Sequence, residues 1–201
     1  MTVRRPFVIG LTGSVGMGKS TTAAMFRERG IPVWDADAAV DRLYAPHGKA
    51  LPGIAALDPA LVGDGGVDRE ALRAWVFEDP DRLPVLERIV HPLVAADRAG
   101  FIRTAESDIV VLDVPLLFET GAEDDADMIV VVSTDPQTQK RRVLARPGMT
   151  RERFRRILSR QLPDADKRAR ADRVIETRSL DMAQAAVEEI IREIRERQPH
   201  A

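Results

Sequence analysis

The chain alternates short, wholly apolar runs with longer stretches in which apolar and polar residues share the helical period. Residues 7–11 (Phe7-Val8-Ile9-Gly10-Leu11), 31–34, 109–113 and 128–132 are almost entirely apolar until their last residues. That is the pattern of strands buried on both faces. A shorter run, 173–176, reads as a fifth strand. Between the runs, apolar residues recur every three or four positions. Ala23, Ala24 and Phe26 mark a first helix that Gly30 stops, and 38–43 reads as a second. Asp68 reads as the N-cap of a helix over 69–77. Leu83, Leu86, Ile89 and Val90 line the next helix, which the pattern breaks at His91-Pro92 and resumes over 93–102. Pro136 starts a helix through Arg146, and Pro147-Gly148 breaks it. Thr150 caps a further helix carrying Phe154, Ile157 and Leu158, with Leu162 continuing the face. Ser179 caps the last helix, with Ala183, Ala186, Val187, Ile190, Ile191 and Ile194 as its stripe and an end before Pro199. Strands alternating with helices predict an α/β fold built on a parallel sheet.

A parallel crossover needs about a dozen residues, but far more separate the second strand from the third. The surplus, about 38–107, reads as a helical lobe, with a Pro- and Gly-rich loop region over 44–67. The expected organisation is one domain, with its core in 6–37, 108–135 and 170–201. A lid is expected over about 140–165.

The first strand opens into Gly13-Ser14-Val15-Gly16-Met17-Gly18-Lys19-Ser20-Thr21, the spacing of a phosphate-binding loop between a strand and a helix. Glycines let the backbone turn and aim its N–H groups inward. The helix N-terminus favours anions. Lys19 adds a positive charge for terminal phosphates, and the Ser20 hydroxyl suits Mg²⁺. The second strand ends in Asp35-Ala36-Asp37. If the chain stays extended, both carboxylates face one side; the alternative is that they cap the next helix. The third strand ends in Asp113, a position suited to orienting Mg²⁺ or its waters beside Ser20. Pro115 then takes the chain out of the sheet.

Composition narrows the classes. Among 201 residues there is no Cys, which excludes disulfides and Cys-based metal sites. No apolar run approaches a membrane span of about 20 residues, and the start of the chain does not read as a secretory leader. A cytoplasmic protein is expected. The net charge of −2 hides an uneven distribution: residues 140–173 hold 13 Lys or Arg against 4 Asp or Glu, leaving −11 elsewhere. One basic segment near a phosphate loop suits a small polyphosphate better than a nucleic acid. Arg142 and Arg146 flank the Pro-Gly hinge and are expected to fold onto phosphates. Arg153, Arg156 and Arg160 read as a solvated face.

Taken in order, the loop at 13–21, Asp35-Ala36-Asp37, His91-Pro92, Pro115-Leu116-Leu117-Phe118-Glu119, Arg142, Arg146 and Gln161 resemble the dephospho-coenzyme A kinase family. The likeness runs from the first strand to about Ile175. It implies a P-loop NTPase core of nucleotide-kinase type with a helical substrate-binding lobe and a lid. It implies ATP and Mg²⁺, and phosphorylation of the ribose 3′-hydroxyl of dephospho-CoA. The residues it implies for ATP binding are Gly13, Ser14, Val15, Gly16, Met17, Gly18, Lys19, Ser20, Thr21, Arg142 and Arg146. For substrate they are Asp35, Asp37, His91, Pro115, Leu116, Leu117 and Glu119. For metal they are Ser20, Asp35 and Asp113. Asp37 is implied as the base, with Lys19 and Arg142 completing the catalytic set. Two positions depart from the family pattern: Asp41 stands where an Arg is common, and Glu176-Thr177 where an Asn is.

The partners expected are small molecules, with no nucleic acid and no membrane; the oligomeric state is not legible. Another small-molecule kinase, acting on a nucleoside or nucleotide, is the alternative enzyme. A guanine-specific switch is disfavoured because the chain has no Asn for an Asn-Lys-x-Asp element. A motor ATPase usually carries Glu after the strand-end Asp, and here Val114 follows Asp113.

Overall fold

A computed structural model describes residues 5–197. The chain divides into two compact units, one of residues 35–104 and one of the remaining described residues. Met1 to Arg4, and Pro199 with the predicted end of the last helix, lie outside the described residues.

The larger unit is organised by one five-stranded sheet. Its strands are β1 (Phe7–Thr12), β2 (Val33–Asp35, whose last residue opens the smaller unit), β5 (Ile109–Asp113), β6 (Met128–Ser133) and β7 (Arg173–Glu176), in the order β2-β5-β1-β6-β7. The two hairpin strands β3 (Val62–Gly63) and β4 (Gly66–Val67) belong to the smaller unit. β1 lies parallel to β5, with Leu11 opposite Asp113, and parallel to β6, with Thr12 opposite Val131. β6 lies parallel to β7, with Ser133 opposite Glu176. β1 is therefore central, and the chain leaves it toward one side first and the other later. Crevices beyond the carboxyl ends of such strands are where α/β sheets bind ligands.

Helices α1 (Lys19–Glu28), α6 (Pro136–Leu144), α7 (Arg151–Leu158), α8 (Asp164–Ala169) and α9 (Leu180–Arg197) complete this unit. Phe26 of α1 and Val187, Ile190 and Ile194 of α9 bury against Ile9, Leu11, Val130 and Ile175 of the sheet. A fully buried aliphatic or aromatic side chain contributes about 1.5–3 kcal/mol, so this stripe, and not intrinsic propensity, fixes α9. Gly30 takes a φ of +75° and ends α1 where the sequence placed the stop.

The smaller unit holds α2 (Ala36–Tyr44), α3 (Leu51–Ala55), the β3–β4 hairpin, α4 (Arg69–Glu78) and α5 (Arg82–Thr104). Its core joins Leu43, Ile54, Leu61, Val67, Leu72, Leu86 and Val90. Asp68 caps α4 by accepting from the N–H groups of Glu70 and Ala71, as its position predicted. The loop region at 44–67 is more structured than expected, containing α3 and the hairpin. Gly66 makes the hairpin possible: its φ is +94°, and a Cβ would stand 2.2 Å from the Tyr44 carbonyl oxygen.

Three expectations need correction. α5 runs unbroken through His91-Pro92. Pro92 is exposed, so its ring is accommodated at the surface, and the turns on either side hold the helix. α6 ends at Leu144, before Arg146. The extended path through 35–37 does not form, because α2 begins at Ala36. No described helix is long and apolar enough to cross a membrane.

Candidate active site

The site is built first by the loop between β1 and α1. Gly18 is the N-cap of α1, and no side chain caps that end. Its φ of +96° and the +80° of Gly16 lie in the left-handed region that glycine tolerates. A Cβ on Gly16 would meet Val143 Cγ2 at 2.4 Å, so α6 packs directly on the loop. Carbonyl groups of the loop are taken up by the surrounding protein. The Val15 carbonyl accepts from Gln139 Nε2 at 2.9 Å, and the Met17 carbonyl from Thr177 Oγ1 at 2.7 Å. The Gly18 carbonyl accepts from the Thr22 N–H at 3.0 Å. The N–H groups of Gly16, Gly18, Lys19 and Ser20 find no acceptor among the described residues. Orphan amides at the start of a helix, with the positive end of its dipole, form an anion cradle.

Lys19 and Asp113 form an ion pair, with 16% and 4% of their side chains exposed. Parallel pairing of β1 with β5 sets Asp113 opposite Leu11, so the carboxylate stands beside the loop's origin. Ser20 is exposed in the first turn of α1. No group of three or more His, Asp or Glu residues among the described residues is arranged to hold a metal. Mg²⁺ suits a sparser set, because it keeps several waters and uses one or two protein oxygens together with substrate phosphates. A hydroxyl and a strand-end carboxylate fit that chemistry.

The basic segment is more committed than its composition implied. Arg142 donates from Nη1 to Thr177 Oγ1 at 3.0 Å and from Nη2 to the Thr177 carbonyl at 2.6 Å. Arg146 is exposed beyond the end of α6. Gln161, between α7 and α8, accepts the Val15 N–H at 3.1 Å. The next residue, Leu162, donates its N–H to Glu119 Oε1 at 2.8 Å. Lys167 of α8 is fully buried, with Nζ 2.9 Å from the same oxygen. Burial works to raise the pKa of Glu119. The Leu162 N–H and the Lys167 ammonium outweigh it, and the carboxyl titrates below its ordinary value. Leu117 is fully buried and packs on Gly10, while Pro115 and Leu116 reach the surface.

In the smaller unit the two carboxylates differ. Asp35 accepts the Ala38 N–H at 3.0 Å and so caps α2. This is why the chain leaves the extended path: the cap replaces strand continuation. Asp37 stands exposed in the first turn of α2, with no side-chain partner among the described residues. His91 is exposed on α5.

Thr177, Gln139 and Lys167 carry interactions that sequence reasoning did not find. Thr177 had a weak signal, as a polar residue directly after the last strand. Lys167 had none, since it stands within a run of basic residues.

Comparisons with known proteins agree along nearly the whole chain. A family model described as dephospho-CoA kinase matches residues 7–181. A dephospho-CoA kinase of Cereibacter sphaeroides is 56% identical over 192 residues, covering 96% of this chain and 98% of the relative. One of Novosphingobium aromaticivorans is 54% identical over 197 residues, covering 97% and 98%. The crystal structure of TT1252 from Thermus thermophilus matches with a TM-score of 0.83 at 35% identity, covering 94% of this chain and 98% of that one.

Proposed function

The chain belongs to the dephospho-CoA kinase family, and from that premise we propose how its residues divide the work of phosphorylating dephospho-CoA with ATP. The enzyme is a phosphotransferase with an alcohol acceptor, giving coenzyme A and ADP. Its acceptor is read as the ribose 3′-hydroxyl.

Phosphoryl transfer depends on positioning and on neutralising charge. The unpaired amides of Gly16, Gly18, Lys19 and Ser20 bind the phosphates of ATP, and the rest of the loop from Gly13 to Thr21 holds them in shape. This amide set at an uncapped helix start is the observation that carries the reading. The Lys19 ammonium binds the terminal phosphates, with Asp113 keeping it beside the loop. Arg142, with Arg146 after it, adds positive charge as negative charge spreads over the moving group. Mg²⁺ would be held by Ser20 and, directly or through water, by Asp113 and Asp35, and would supply further neutralisation of the phosphates.

Asp37 is the base. The resemblance points to it, and its carboxylate is unengaged, whereas that of Asp35 serves as a helix cap. Carboxylates are weak bases toward neutral alcohols, so Asp37 first orients the hydroxyl and takes its proton late, as the oxygen bonds to phosphorus. His91, Pro115, Leu116, Leu117 and Glu119 are assigned to the acceptor side. For Leu117, with no exposed surface, the role is to support Leu116. The enzyme works in the cytoplasm on small molecules and needs no nucleic acid.

The test is ATP consumption by purified protein with and without dephospho-CoA, with the product identified by mass. Coenzyme A formed only when both substrates are present is the expected result. ATP turnover indifferent to dephospho-CoA would overturn the reading in favour of another acceptor.

A further inference from the structure

We infer that Thr177 is a positioning residue for ATP: its hydroxyl ties Arg142 to the phosphate loop and sets the orientation of the Met17–Gly18 peptide. The inference rests on the reading of the loop as the ATP site.

Thr177 directly follows β7 and is buried. A hydroxyl has one hydrogen to donate and two lone pairs. The hydrogen is directed at the Met17 carbonyl, 2.7 Å away, and the Ser133 carbonyl at 3.3 Å is the weaker alternative. One lone pair receives Arg142 Nη1 at 3.0 Å. The Thr177 carbonyl receives the second guanidinium nitrogen at 2.6 Å, so the arginine is held as a fork. Backbone bonds lock the threonine in turn, since its N–H donates to the Ser133 carbonyl at 2.9 Å.

The consequence for the loop follows from peptide geometry. A trans peptide is planar, with its C=O and N–H pointing opposite ways. Holding the Met17 carbonyl against Thr177 therefore turns the Gly18 N–H, one of the loop's unpaired amides, away from Thr177. Gly18 takes this conformation readily because its φ of +96° lies in the left-handed region, and a Cβ there would also crowd Thr177 Oγ1 at 3.1 Å. Met17 is fixed from a second side as well, its Sδ lying 3.2 Å from the Thr134 N. A charged donor on the hydroxyl also strengthens the bond that the hydroxyl makes onward. The positive charge of Arg142 thus acts on the phosphate amides through Thr177. None of these bonds belongs to the acceptor substrate, so the effect should be confined to the nucleotide.

The experiment compares wild type with T177V, which keeps the shape and removes the hydroxyl, and T177S, which keeps the hydroxyl and removes the methyl. ADP affinity is measured by calorimetry without divalent metal, and KM and kcat are measured for both substrates. The expected result for T177V is a rise of about tenfold in the ADP dissociation constant and in the KM for ATP, the effect of losing one buried hydrogen bond. The KM for dephospho-CoA should stay within about twofold of wild type. T177S should restore the nucleotide constants to within about twofold of wild type. T177V and R142A should combine less than additively on nucleotide affinity, since they break one chain of bonds. If T177V does not fold, T177A carries the same expectation. Unchanged ADP affinity in a folded T177V or T177A protein overturns the inference. So does a T177S variant as impaired as T177V, or full additivity with R142A. Failure of the wild type to make coenzyme A would instead overturn the proposed function, and calorimetry would still report on Thr177.

Discussion

Glu119→Gln removes one negative charge and hardly changes the side chain's shape. The Leu162 N–H, 2.8 Å from Oε1 in the wild type, keeps a carbonyl acceptor. What disappears is the counter-charge of Lys167, whose side chain is 0% exposed and whose Nζ lies 2.9 Å from that oxygen. The ammonium has no well-directed hydrogen bond among the described residues, so the charge pairing is what it has to lose. Removing one member of a buried pair costs about 3–5 kcal/mol, because the other charge stays behind unpaired. The Glu119 side chain is 20% exposed, so water reaches one edge of the site and the lower figure, about 3 kcal/mol, is expected. In a chain of this length that lowers the melting midpoint by about 6–12 °C. Lys167→Met should cost less, about 1 kcal/mol, since the carboxylate left behind is partly hydrated and still accepts the Leu162 N–H. The double variant restores neutrality and should be more stable than E119Q alone, with a coupling of about 2 kcal/mol. Urea unfolding of the four proteins at neutral pH measures this, and additive effects of the two substitutions would refute the reasoning. Acid gives a second reading. The folded carboxyl titrates below its ordinary 4.5, so its contribution is present above that value and is lost as pH falls through the folded pKa. Wild type should lose stability over that acid range, and E119Q should lose less of it.

Lys19→Met should lower kcat by about 10²–10³, the usual cost of losing one transition-state charge contact. It should also lower the melting midpoint, because the buried Asp113 loses the charge of the Lys19 ammonium; steady-state kinetics and a thermal scan read the two effects. Asp37→Asn should lower kcat by about 10²–10⁴ and leave ATP affinity within about twofold, by calorimetry; near-normal turnover would remove Asp37 as the base. Gly16→Ala forces a side chain onto a φ of +80° and against a buried valine. A loss of about 2 kcal/mol in urea unfolding is expected, together with weaker ADP binding.

What the sequence reveals depends on how far the deciding partner lies along the chain. The strands of the five-stranded sheet and the phosphate loop are local patterns, and the structure has them where the pattern puts them. Asp35 shows where local reading misleads: alternation assumes a continuing strand, but the residue's own carboxylate caps a helix one position on, and capping wins. Pro92 misleads in the other direction. A proline usually ends a helix, yet here its ring faces solvent and α5 continues. Lys167 sits in a segment whose summed charge suggests solvated residues, and it is buried because Glu119, at the far end of another motif, meets it. No counting of charge along the chain reveals that pairing.

The same distance argument applies to the loop, whose motif is local and whose shape is not. The peptides on both sides of Val15 are held, the carbonyl of Val15 by Gln139 of α6 and its N–H by Gln161 of the α7–α8 turn. The Met17 carbonyl is held by Thr177. These partners are scattered over the second half of the chain, yet together they decide which loop groups remain for a ligand. An amide already bonded to Gln161 is unavailable to phosphate, whereas carbonyls turned outward leave the amides of Gly16 and Gly18 for it. Orientation fixed before the ligand arrives does not have to be bought from binding energy. The glycine-lysine-serine motif therefore marks where phosphate can bind, and residues far along the chain hold the loop in shape for it.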